Sequence, residues 1–143
     1  MAEHYLLLGG GKASEKEQDE AVAFVEDMVE YADAKLASFV FRYYKKHQNF
    51  EKWDFWVKKS ANGGEERGQM ELAIAYLGKE YNTKTILYYP KDIEKSRYYI
   101  EQVMLHENRS KASQDLANQV LERVEYEERI KDDPEKAPYP DFP

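Results

Sequence analysis

Glu71 carries the most suggestive chemistry in this sequence. It lies in a stretch of helical period, and Gly68, Ala75 and Gly78 fall at helical spacing from it, on the same or adjoining faces. Small side chains there leave room for another group to approach the carboxylate. A glutamate so placed, near the edge of a buried stripe and beside a glycine-bearing loop, could act as nucleophile or general base. The competing reading is a solvated helical glutamate whose small neighbours serve packing alone.

Two loops offer binding chemistry. Gly9, Gly10 and Gly11 are followed by Lys12, Ala13 and Ser14. Backbone amides at a helix N-terminus, with the Lys12 ammonium and the Ser14 hydroxyl, could cradle a phosphate. The spacing matches neither GxGxxG nor a Walker loop, and a plain strand-to-helix turn with Ser14 as a cap explains it equally. In residues 58–64, Ser60, Asn62 and Gly64 form a second such loop, able to hold a hydroxyl or phosphate or to serve as an ordinary polar turn. His4, His47 and His106 lack ligand spacing, so no metal is expected. No cofactor is expected either.

Composition narrows the function classes. The 143 residues carry a net charge of −7, which disfavours a nucleic acid duplex as partner, since phosphate binding requires a basic face. Acid is concentrated near the start: Glu15, Glu17, Asp19, Glu20, Glu26, Asp27, Glu30 and Asp33 are opposed only by Lys16. This acidic helix, 15–33, is either a solvated face or a docking surface for a basic protein partner. The absence of cysteine excludes disulfides, thiolate catalysis and zinc–sulfur sites. No apolar run approaches the roughly 20 residues of a membrane span, and the opening residues are too weakly apolar for a signal peptide. A soluble, cytoplasmic protein with no membrane partner is the expectation.

The elements that must position these groups follow from periodicity. Residues 4–8 read as a buried strand. Ser14 and Glu17 form a capping-box pattern opening a helix with Ala21, Val25, Met28 and Ala32 as its stripe, widened by Val22 and Val29. Residues 35–44 read as a strand from their β-branched and aromatic content, with a continued helix as the alternative. Residues 53–58 read as a third strand, and a helix resumes at 65 with Met70, Ala73, Ile74 and Leu77 buried. Residues 83–89 read as a fourth strand closed by Pro90. Asp92 caps a helix carrying Ile93, Ile100, Val103 and Met104. Ser110 or Ser113 opens the last helix, whose stripe is Leu116, Val120, Leu121 and Val124. That stripe is intramolecular core or the seam of a homodimer.

The predicted order is β-α-β-β-α-β-α-α. Alternating strands and helices imply a three-layer α/β sandwich with a small, mostly parallel sheet, Rossmann- or flavodoxin-like, over residues 1–132. A proline-rich extended tail over 133–143 follows it. In such a sheet ligands bind beyond the carboxyl ends of the strands, where the loops above would lie.

One run resembles a known family. Asp54, Ser60 with Gly63 and Gly64, Glu71-Leu72 with Ala75, Gly78-Lys79 and residues 85–89 are similar to the second half of the nucleoside 2-deoxyribosyltransferases. The resemblance implies an Asp beginning a strand, a nucleophilic Glu71 attacking the anomeric carbon, and a sugar or 5′-phosphate held by Gly9 to Lys12. It also implies Asp54 or a tyrosine such as Tyr89 as the acid for the departing base, a nucleoside or nucleotide substrate, and oligomers of the homodimer kind. The expected function is N-glycosyl hydrolysis or deoxyribosyl transfer. The alternatives are a non-enzymatic acidic protein-interaction module, for example an inhibitor of a host protein, or a nucleotide-binding module without chemistry.

Overall fold

Every element among the described residues is helical. The computed structural model describes residues 14–78 and 89–132. Six α-helices span these: α1 (Glu15–Asp27), α2 (Ala34–Lys46), α3 (Phe50–Asn62), α4 (Glu66–Ala75), α5 (Ile93–Met104) and α6 (Lys111–Asp132), with a 3₁₀ turn, Val29–Tyr31, after α1. No strand occurs among the described residues, so the α/β sandwich, its Rossmann-like sheet and the β-α-β-β-α-β-α-α order are overturned. The strand expected at 4–8, the strand expected at 83–89 except for its last residue Tyr89, and the tail at 133–143 lie outside the described residues.

Two predicted strands are helices for a common reason. The buried residues include Ala37, Val40, Phe41 and Tyr44 in α2, with Ser38 beside them, and Trp53, Trp56, Val57 and Ser60 in α3, with Ala61 beside them. Both sets follow i, i+3, i+4, i+7, a helical stripe. The flanking aromatics Phe39 and Phe55 give each segment the look of β-alternation, but Phe55 is exposed. β-propensity measures fit to a half-buried surface, and packing overrides it here. Local caps support the helical outcome. The Asp33 carboxylate accepts from the Leu36 amide at 2.8 Å, and the Asn49 carbonyl oxygen accepts from the Lys52 amide at 3.2 Å.

The chain divides into two compact units, Met1–Gly68 and Gln69–Pro143. In the first, α2 packs closely on α3 and more lightly on α1. Helix α1 opens with the predicted capping box. The Ser14 hydroxyl accepts from the Glu17 amide at 3.1 Å while the Ser14 amide donates to the Glu17 carboxylate at 3.2 Å. Small residues make the α2–α3 contact. A Cβ on Gly63 would stand 2.5 Å from that of Ala34. The Ser38 hydroxyl donates to the Ala34 carbonyl at 3.1 Å, and the buried Ser60 hydroxyl lies 2.6 Å from Ser38 Oγ, completing the pair.

In the second unit α5 packs on α6. Ala73, Leu77, Ile100, Val103, Ala117, Val120 and Val124 form its core, flanked by Met70, Ile74, Ile93, Leu116 and Leu121. Each fully buried aliphatic side chain contributes about 1.5–3 kcal/mol. Of the α6 stripe, Val120 and Val124 are buried within the unit, and Leu116 and Leu121 are partly buried against its core. The Ser96 hydroxyl donates to the Ala73 carbonyl at 2.7 Å. Arg97 grips Glu128 as a fork, Nε to Oε2 and Nη2 to Oε1, both at 2.6 Å. Asp92 caps α5 through the Lys95 amide at 3.1 Å, and Ser110 caps α6 through the Ser113 amide at 3.1 Å. No helix among the described residues is long and apolar enough to cross a membrane.

Candidate functional site

The predicted catalytic pair is carried by helices. Asp54 lies within α3, not at the start of a strand, and pairs with Lys58 one turn on at 3.0 Å. Glu71 is half-buried in α4. The space that its small neighbours suggested is filled. A Cβ on Gly68 would stand 2.5 Å from Ser60 Oγ and 2.6 Å from the Ala61 amide nitrogen. Gly68 therefore exists to let the start of α4 settle on the end of α3. Ala75 is 1% exposed, and its carbonyl accepts from the Tyr89 amide at 3.2 Å. Gly78, at φ +95°, turns the chain close to Lys91.

The predicted binding residues are dispersed. Ser60 is buried against Ser38, Asn62 is exposed at the end of α3, and Gly64 follows at φ +95° with open space around it. Ser14 caps α1. Gly9, Gly10, Gly11 and Lys12 lie outside the described residues.

The acidic helix gains definition. Glu17 and Asp33 serve in helix caps, and its other acids divide into two sets. Glu15 pairs with Lys46 at 2.9 Å and with His47 at 3.0 Å, Asp19 accepts from the Tyr43 hydroxyl, and Glu26 pairs with Lys52 at 3.1 Å. These tie α1 to α2 and α3 beside the buried Ala21, Val22 and Val25. The Lys46 ammonium, through its hydrogen bond, holds the Glu15 carboxyl below its ordinary range. Burial, then the bond to Asp19, pushes Tyr43 up to about 12. Burial, then a bond to Glu26, raises Tyr44 above its ordinary range.

The second set, Glu20, Asp27 and Glu30, is exposed and makes no ion pair among the described residues. Among them stand Phe24, Met28 and Tyr31, which are 51%, 42% and 79% exposed. Phe24 lies in α1, Met28 ends it and Tyr31 closes the 3₁₀ turn, so the three are exposed in succession at the end of this segment. Sequence periodicity had put Met28 in the core, and Phe24 drew no attention because it falls outside that stripe. The signal available was an aromatic on the acidic side of an amphipathic helix.

Three other clusters carry less. Among the described residues Glu15, Asp19 and His47 bring donor atoms within 4.8 Å of one another. That grouping joins distant segments, which sequence spacing could not show, but Lys46 already holds the cation position against Glu15. In the second unit a cleft of about 580 Å³ is lined by Lys91, Asp92, Ile93, Glu127, Glu128 and Lys131. Lys91 pairs there with the buried Glu127 at 2.7 Å, and Glu128 is held by Arg97, so these charges are taken up within the chain. Tyr98 and Leu105 are exposed on and after α5, beside Lys95 and Arg97 as well as Glu94 and Glu101, which makes that face mixed in sign. Comparison of the chain with protein-family models, curated proteins and solved structures finds no match.

Proposed function

We propose that this chain is a non-enzymatic, acidic protein-interaction module that works in the cytoplasm and presents α1 to a protein partner. The observation that carries the reading is the exposed Phe24–Met28–Tyr31 stripe set among Glu20, Asp27 and Glu30. Aromatic and methionine side chains left in water on a helix whose other face is buried are typical of recognition surfaces. Against glycosyl transfer by Glu71 stand the lack of any strand among the described residues and the filling of the space beside Gly68 by Ser60 and Ala61 of α3.

The test is photo-crosslinking in cells, with benzoylphenylalanine placed at position 24 and, as control, at exposed position 112 in α6. Discrete protein adducts from position 24 alone are expected. Adducts absent from position 24, or identical from both positions, contradict the reading. So would release of free base from nucleosides or their 5′-monophosphates by the purified protein, abolished in Glu71→Gln.

A further inference from the structure

We infer that the partner's contacting element is a basic amphipathic helix, its apolar residues on Phe24, Met28 and Tyr31 and its lysines or arginines against Glu20, Asp27 and Glu30. This inference rests on the interaction-module reading and adds the chemistry of the occupant.

The argument is one of complementarity. Phe24 on α1, Met28 at its end and Tyr31 in the 3₁₀ turn expose three apolar side chains within eight residues of chain. Several apolar side chains exposed along one segment match a partner that presents its own anchors along one side, as an amphipathic helix does. The flanks are acidic only. Lys16, the sole base between Glu15 and Asp33, lies two turns before Phe24. The three flanking carboxylates are not committed to the chain's own cations among the described residues, whereas Glu15 and Glu26 on the inner side are, and Asp19 accepts from the Tyr43 hydroxyl. Like charges held near an apolar stripe reject acidic partners and attract basic ones at long range. A second copy of this chain would set the same acidic flanks against each other, at a net charge of −7 apiece, so self-association through this face is disfavoured. A flat, evenly basic surface would meet the flanks and leave the three apolar side chains uncovered. Only a helix that is both basic and amphipathic satisfies both parts of the surface.

The experiment titrates the full chain into three fluorescent synthetic peptides of equal length, followed by anisotropy. One has leucine at helical spacing and lysine elsewhere; one replaces every lysine by glutamate; one scrambles the first so that no stripe forms. The first is expected to bind about tenfold tighter than either control, with affinity falling as salt is raised. Phe24→Ser with Tyr31→Ser should lose that preference while circular dichroism stays unchanged, because both side chains lie outside the core. Glu20→Lys with Glu30→Lys should weaken binding and flatten its salt dependence. Equal binding of the scrambled peptide, or full binding by the serine variant, overturns the inference. So does a concentration-dependent dimer in sedimentation that the serine variant abolishes, which would assign the stripe to self-association. If crosslinks form at position 24 yet the peptides are ignored, the partner chemistry is wrong and the module reading stands. Absence of both removes the reading itself.

Discussion

Replacing Gly68 by alanine tests whether the ground beside Glu71 is packing or pocket. The new Cβ would lie 2.5 Å from Ser60 Oγ, 2.8 Å from Ser60 Cβ and 2.6 Å from the Ala61 amide nitrogen. Rotation of the serine relieves one of these contacts, but at the cost of its 2.6 Å bond to Ser38. The Ala61 nitrogen belongs to the backbone of α3, so relief there requires one helix to move. Overpacking of this kind costs about 1–3 kcal/mol. Better helix propensity returns at most about 1 kcal/mol. A net loss of about 1–2 kcal/mol is expected, which lowers Tm by about 3–8 °C. Thermal unfolding followed by circular dichroism measures it. The cycle with Ser60→Gly sharpens the test, since that change removes two of the three close contacts and should reduce the cost of Gly68→Ala. If Gly68→Ala instead raises Tm by its propensity gain, α3 is not seated there. The space beside Gly68 would then be open, and close packing of α4 on α3 there is refuted.

Other outcomes follow from the charged contacts. Tyr43 is raised from 10.0 to about 12, so the folded state keeps a proton that the unfolded chain releases. Its contribution is full below pH 10 and fades as pH rises towards 12; a Tyr43→Phe variant should show a shallower alkaline loss of stability, and an unchanged slope would be contrary. The Glu128 carboxyl is lowered from 4.5 by its hydrogen bonds to Arg97, so its contribution is present above that value and is lost as pH falls below it. Glu128→Gln should cost about 1 kcal/mol at neutral pH and leave denaturant stability less sensitive to acid than in the parent chain. Ser14→Ala removes the α1 cap and should cost about 1 kcal/mol, seen as faster amide exchange confined to α1.

What the sequence disclosed was mostly local chemistry. The caps at Ser14, Asp92 and Ser110 were legible because a side-chain oxygen three residues ahead of a waiting amide is a short-range signal. The stripe of α6 was legible because Leu116, Val120, Leu121 and Val124 repeat over several turns. Residues 35–44 and 53–58 misled because tryptophan, phenylalanine, tyrosine and valine favour strands in isolation. Their true period shows only when Ala37, Ser38 and Ser60 are counted with the buried face. Those two segments supplied half of the strands of the expected sheet, at whose mouth Glu71 was placed. The caps at Asp33 and Asn49 were available as correctives. Gly68 shows the limit of composition: a glycine beside a carboxylate looks the same whether a ligand or another helix fills the gap. Met28 was assigned to the core by spacing, but α1 ends at Asp27 and the 3₁₀ turn takes over.

The outer face of α1 is the central claim, and amide chemical-shift mapping of the ¹⁵N-labelled chain with the basic amphipathic peptide tests it most directly. The account predicts shifts concentrated at Glu20, Phe24, Asp27, Met28, Glu30 and Tyr31, absent with the acidic peptide. Shifts centred instead on Glu71, or on the Lys91–Glu127 cleft, would contradict it.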